Sequence, residues 1–189
     1  MENNNFKGKF LDSIWEIIKI VVIATVIVLP IRYFLFQPFI VKGESMMPNY
    51  QNGNYLIIDE ISYRFNEPKR GDVVVFRTEF IAGHEGDRFI KRVIALPGET
   101  VEIKDSKIKV YKGDQIIDID ENTYLPGVTT AGNLKKTLGN EEYFVMGDNR
   151  EASFDSRYWG VLPKKDIIGK VFLRLLPLNK INLIQSPIY

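Results

Sequence analysis

The chain has no cysteine and a single histidine, His84, among its 189 residues. Without thiols there is no disulfide framework, no thiolate zinc site and no thiol nucleophile. One imidazole leaves any metal site to be built almost wholly from carboxylates. Neither a cofactor nor a metal is therefore expected. A strong charge of one sign is missing too: 25 basic residues against 24 acidic ones give +1, so no global field points to nucleic acid as a partner. Internal repeats and low-complexity tracts are absent, and beyond the N-terminal region no amphipathic helical stretch stands out. What remains has the length of one domain plus an appendage, with a hydrophobic content of 45% that is normal for a folded protein.

The appendage is N-terminal. Residues 1–13 are polar, with three consecutive asparagines and two lysines, Lys7 and Lys9, and read as a flexible cytoplasmic tail. From Ile14 to Phe36 the chain is dominated by Ile, Val, Leu and aromatics, with Trp15 near one end and Tyr33 and Phe34 near the other. This is the pattern of a transmembrane anchor with interfacial aromatics. The uncharged run between Lys19 and Arg32 is short for a span, so one or both of these side chains must snorkel to an interface. A buried core helix and a cleaved signal peptide are the competing readings. Against cleavage, no small-residue pattern follows the apolar run. With Lys7 and Lys9 inside, residues 37–189 are expected on the trans, extracytoplasmic side.

Those residues read as an all-β domain of short antiparallel strands. Phe39-Ile40-Val41, Asn54 to Ile61 and Val73 to Phe76 are strands, Arg77 to Arg88 a loop, and the run to Leu96 a further strand ending at Pro97-Gly98. Val101 to Lys104 and Lys107 to Val110 alternate apolar and charged as a hairpin around Asp105-Ser106. This begins a hairpin and loop extension over 99–140, in which Gln115 to Ile119 is a strand and the remainder a long surface loop. Glu142 to Met146 and Ile167 to Leu176 complete the set.

One stretch has chemical promise. In Gly43-Glu44-Ser45-Met46-Met47-Pro48, Pro48 fixes its own φ and steers Met47 away from helix, which sets a serine hydroxyl at a turn among apolar side chains. A serine needs a base, and His84 lies among Gly83, Glu85 and Gly86 in what reads as a solvated loop. The better candidate is Lys91. Alternation along its strand places Phe89, Lys91, Val93 and Ala95 on one face and Ile90, Arg92, Ile94 and Leu96 on the other. A lysine buried in such a strand loses affinity for its proton. One at a sheet edge snorkels to water and does nothing.

Read together, four blocks resemble the type I signal peptidases, membrane-anchored serine proteases. They are Ser45 to Pro48, Arg70-Gly71-Asp72-Val73-Val74-Val75-Phe76, Phe89 to Glu99, and Gly147 to Gly160, in the family's order behind an N-terminal anchor. The resemblance implies Ser45 as nucleophile, Lys91 as general base, and the Ser45 N–H as one oxyanion donor. It further implies Ser153 as the residue that hydrogen-bonds the lysine, and two scaffold ion pairs, Arg92 with Asp148 and Asp155 with Arg157. No cofactor is implied. The substrates would be preproteins carrying signal peptides, cut after small residues, with the lipid bilayer as the other partner. Phe39, Val41, Met46 and Ile90 flank the dyad and would line shallow pockets for those residues.

The chain departs from the family at several positions. Gly43 stands where some members carry a hydroxyl residue that completes the oxyanion hole, Asn49-Tyr50 replaces a frequent Thr-Leu, Ala95 a glycine and Glu99 an aspartate. Two other functions fit parts of the pattern. A self-cleaving Ser-Lys repressor would need a basic DNA-binding helix pair, which is missing. An inactive anchored β-domain that binds export partners would have no need of both Ser45 and Lys91.

Overall fold

The structure, a computed structural model, describes residues 14–28 and 36–187. The expected tail over 1–13 and residues 29–35 of the expected span lie outside the described residues. The chain divides into two units, Met1–Gln37 and Pro38–Tyr189.

The first unit contains helix α1, residues 14–28. Its apolar side chains are not gathered into one stripe. Trp15, Ile17, Ile20, Val21, Val22, Ile23, Val26 and Ile27 are all more than half exposed, and at 3.6 residues per turn they cover every face. Two of its polar side chains are partnered locally. The Thr25 hydroxyl donates to the Val21 carbonyl at 2.7 Å, and the Lys19 ammonium lies 5.6 Å from the Trp15 ring. Among the described residues no helix is long and apolar enough to cross a membrane.

The second unit is mostly β. Its strands are β1 Phe36–Ile40, β2 Tyr55–Asp59, β3 Val73–Arg77, β4 Arg88–Ala95, β5 Thr100–Lys104, β6 Lys107–Lys112, β7 Gln115–Asp118, β8 Leu134–Thr137, β9 Glu142–Met146, β10 Leu162–Pro163, β11 Ile167–Leu176 and β12 Asn182–Leu183. Two single-turn helices, α2 Ser62–Phe65 and α3 Ser156–Trp159, interrupt them. The larger sheet runs β1-β2-β11-β3-β4-β9-β10 with β12 beside β11, and the smaller runs β7-β6-β5-β8.

The surface loop expected after β7 is not wholly irregular. Within it β8 pairs antiparallel with β5, Thr100 opposite Thr137 and Ile103 opposite Leu134. Only Leu134 of its four residues is half-buried, so no apolar alternation marks it in sequence. The edge of β5 imposes the pairing instead. The β5–β6 hairpin closes on Asp105 and Ser106, both at positive φ (50° and 61°).

Strand β4 positions the site because it serves three apolar clusters at once. Ile94 and Ala95 pack with Val101, Ile103 and Phe144, Ile90 against Val41, Leu56 and Val75, and Val93 with Phe76 and Val145. Its pairing is one-sided at the start. Partner β3 runs alongside Arg88 to Arg92, but β9 joins only at Arg92, opposite Met146. Residues 88–91 therefore keep a free sheet edge. The far end is fixed by Arg70, whose Nη2 donates to both Glu99 oxygens at 2.7 and 2.9 Å, and whose Nη1 donates to the Ile94 carbonyl. Glu99 also accepts from the Leu96 N–H at 2.7 Å, so the residue that departs from the family's aspartate is an anchored, buried carboxylate.

Candidate active site

Ser45 sits in a compact turn built by its neighbours. Gly43 has φ +87°, a conformation that costs glycine little and other residues more. Beyond it the Met47 N–H donates to the Glu44 carbonyl at 3.0 Å and the Tyr50 N–H to the Met46 carbonyl at 2.8 Å; the Met47–Pro48 bond is cis. The turn is locked from the far end of the chain. The Asn149 N–H donates to the Ser45 carbonyl at 3.0 Å, and its side-chain amide to the Glu44 carbonyl at 3.2 Å. The approach is so close that a Cβ on Gly147 would fall 2.3 Å from the Ser45 carbonyl oxygen and 2.1 Å from Ser153 Oγ. Only glycine fits there.

Lys91 Nζ lies 2.8 Å from Ser45 Oγ and 3.0 Å from the Ile90 carbonyl oxygen. The residue is only 3% exposed. Burial pulls its amine down from the ordinary lysine range to about 8, against the opposing fields of Asp155 and Asp148. The Phe89 ring, on the same strand face, stands 5.1 Å from Nζ. An amine that is neutral in a useful fraction of molecules and touches a hydroxyl oxygen can take that hydroxyl's proton.

Both carboxylates near the amine are engaged elsewhere. Arg92 donates from Nε and Nη2 to the two Asp148 oxygens at 2.8 and 2.7 Å, and from Nη1 to the Gly71 carbonyl. Asn49 adds a bond to Asp148 at 2.8 Å. Burial works against the charge of Arg92, but the hydrogen bonds and charge of Asp148 outweigh it and hold the guanidinium protonated above its usual value. Arg157 grips Asp155 in the same two-pronged way, at 2.8 and 2.9 Å, while Asp155 accepts from the Gly147 N–H at 2.9 Å and caps α3. A third pair carries no signal in the sequence. Arg150, buried beside Gly147, binds Glu121 and the Thr130 hydroxyl, both from the long loop.

Two expected site residues, Ser153 and Met46, differ from the sequence reading, and the single histidine stands nearer the cleft than its sequence suggests. Ser153 is buried, yet its hydroxyl makes no hydrogen bond; the expected bond to Lys91 is not formed, and Nζ meets Ser45 Oγ and the Ile90 carbonyl instead. Met46 does not line the cleft: the turn carries its side chain beneath Ser45, 1% exposed, into the cluster of Val41, Tyr50 and Leu56. His84 lies in an exposed loop, as expected, but its own side chain, 38% exposed, turns toward neighbouring rings. Its ring stands 5.2 Å from Phe89 and 5.5 Å from Phe154, its Nδ1 lies 3.1 Å from Asp87, and it lines the cleft. It has no bond to Ser45.

The cleft over Ser45 and Lys91 has a volume of about 950 Å³. Phe39, Val41 and Ile90 line it with Leu56 and Val75 on one side, and Phe89, His84 and Phe154 on the other. Gly43 contributes neither a hydroxyl nor an amide to the space above Ser45, since its N–H is spent on the Asn52 side chain at 3.1 Å. The Ser45 N–H makes no hydrogen bond among the described residues.

The unequal roles of Asp155 and Ser153 have a thermal signature. Asp155→Ala strands a buried guanidinium and is expected to cost about 3–5 kcal/mol, lowering Tm by on the order of 10 °C. Ser153→Ala removes an unpartnered hydroxyl and is expected to leave Tm unchanged or slightly raised. Thermal unfolding of the two variants separates these outcomes; equal losses would contradict the assignment.

Comparison with known proteins bears on the same residues. The family model described as "Signal peptidase, peptidase S26" matches residues 14–176. A signal peptidase I of Leptolyngbya laminosa is 34% identical over 180 residues, covering 93% of this chain and 86% of that protein. One from Bacillus licheniformis is 36% identical over 179 residues, covering 90% and 93%. A crystal structure of a signal peptidase I from Enterococcus faecalis superposes with a TM-score of 0.45 at 27% identity, over 56% of this chain and 97% of that one. With four motif blocks, a matching family model and full-length relatives in agreement, the chain belongs to the signal peptidases of family S26, and is a hydrolase.

Proposed function

We propose that this enzyme is a membrane-anchored serine endopeptidase that removes N-terminal signal peptides from exported preproteins after small residues, using Ser45 and Lys91. The observation that carries the reading is the 2.8 Å contact between a buried amine and the Ser45 hydroxyl. Neutral Lys91 takes the proton from Ser45 Oγ as that oxygen attacks the scissile carbonyl carbon. The resulting oxyanion accepts from the unengaged Ser45 N–H. The lysine ammonium then protonates the departing amine, which leaves an acyl-enzyme and a neutral lysine again. In the second half a water gives a proton to Lys91 and its oxygen to the acyl carbon, and the lysine ammonium returns that proton to Ser45 Oγ as the ester bond breaks, releasing the signal peptide with its new carboxyl end and restoring the hydroxyl and the neutral amine.

The free edge of β4 at residues 88–91 suits an extended substrate, which adds a strand through main-chain hydrogen bonds and points alternate side chains to opposite faces. On the Ile90 face, Phe39, Val41, Leu56 and Val75 line apolar space that suits a small side chain. Larger side chains are excluded by overlap. Helix α1, apolar on every face, suits the bilayer, and Lys7 and Lys9 favour a cytoplasmic N-terminus with the β unit on the trans side.

Four measurements test this reading. Lys91→Arg is expected to be nearly as inactive as Lys91→Ala, since guanidinium has no lone pair to give at usable pH; substantial activity in Lys91→Arg would sink the dyad. The sign of the pH dependence follows from the same base: kcat/KM should be low where the amine is protonated, rise through an apparent pKa near 8 and level off above it. His84→Ala should lose less than about tenfold in kcat/KM, whereas a histidine base predicts a fall of several orders of magnitude. Protease added to intact spheroplasts should digest the β unit. Digestion that required lysis would reverse the topology.

A further inference from the structure

The two walls of the cleft are chemically unlike. On the Ile90 side a single ring, Phe39, stands among aliphatic side chains, whereas on the Phe89 side rings continue outward from the catalytic amine: Phe89 is 5.1 Å from Lys91 Nζ, His84 is 5.2 Å from Phe89, and Phe154 is 5.5 Å from His84. Phe154 is 45% exposed, yet the residues on either side of it, Ser153 and Asp155, are buried. The ring is thus held out over the cleft by a fixed backbone rather than by a mobile loop. Asp87 completes this wall. Its Oδ2 meets His84 Nδ1 at 3.1 Å, and its side chain is 59% exposed. Of the cleft's cations, Arg88 lies over the Phe39 ring at 5.3 Å, and Lys91, although beside Phe89, is bonded to Ser45. Lys42 and Glu44, both exposed on the Ser45 side, offset one another in charge.

An extended peptide beside residues 88–91 sends alternate side chains to opposite faces. If the first and third residues before the cut enter the Ile90 side, the second is directed to the Phe89 side. We infer that Phe154, His84 and Asp87 form a shelf that selects the residue at the second position before the cut, favouring a long basic side chain. Its methylene stem or guanidinium lies on the Phe154 ring, and its charge meets the Asp87 carboxylate. An acidic residue there faces that carboxylate directly. This inference rests on the protease reading above and adds a specificity that the two small-residue pockets do not supply.

The experiment uses the full-length enzyme in detergent and synthetic preprotein peptides with alanine at the first and third positions and lysine, alanine or glutamate at the second. For wild type the kcat/KM ratio of lysine to glutamate peptide should be roughly three- to tenfold, the size expected of a half-exposed charge contact. Asp87→Asn should bring that ratio to within twofold of one, and Phe154→Ala should reduce the advantage of lysine over alanine. Each ratio is internal to one variant, so loss of folded enzyme cancels. A wild-type ratio of one or less, or a ratio unchanged by Asp87→Asn, would overturn the shelf while leaving the protease reading intact. Failure to cut any of the three peptides would overturn the protease reading itself.

Discussion

A buried ammonium keeps its proton if a carboxylate stands free beside it, and gives the proton up more readily if none does. Lys91 has two aspartates close enough to oppose the effect of burial, so how readily it gives up its proton depends on what those aspartates are doing. Asp148 is clamped in two prongs by Arg92, and Asp155 by Arg157. Each guanidinium neutralises the charge that would otherwise restore the lysine to its ordinary range. The ion pairs are therefore scaffold in position and electrostatic in consequence: they hold the 147–157 segment in place and leave the amine without a counter-ion. Desolvation of one nitrogen links them to β4, whose service to three apolar clusters keeps water away.

The same segment explains why the site tolerates no side chain at Gly147. Ser45, Ser153 and Asp155 converge on that residue from three directions. The peptide N–H of Gly147 is taken by Asp155 and its carbonyl by Arg150, so the strand that ends there passes directly into the support of the nucleophile turn.

Much of this was legible in the sequence because the relevant residues lie in short contiguous blocks. The apolar surroundings of Lys91, the serine turn ended by Pro48 and the charged residues after Gly147 each show in a few neighbouring letters. What failed to show depends on side-chain direction or on distant pairing. Nothing in Leu-Lys-Lys-Thr marks β8, whose partner lies more than thirty residues earlier. Glu121 meets Arg150 only because the long loop folds back. Met46 adjoins the reactive serine in sequence but turns beneath it, and His84 has a glycine-rich, polar context although its ring packs on two others. The Ser153 hydroxyl was placed by resemblance, and the geometry gives it no partner.

The hydrogen bonds between Asn149 and the Ser45 turn join residues as many as 105 positions apart in the chain. Closing so long a loop carries an entropic cost that is recovered only when the strands between have paired. Until then the serine turn lacks its support from the 147–150 segment, and Lys91 remains hydrated and charged. A newly made chain thus carries a harmless serine and a harmless lysine through most of its folding. The pairing of the two side chains is a property of the closed fold alone, which no shorter stretch of the chain could possess.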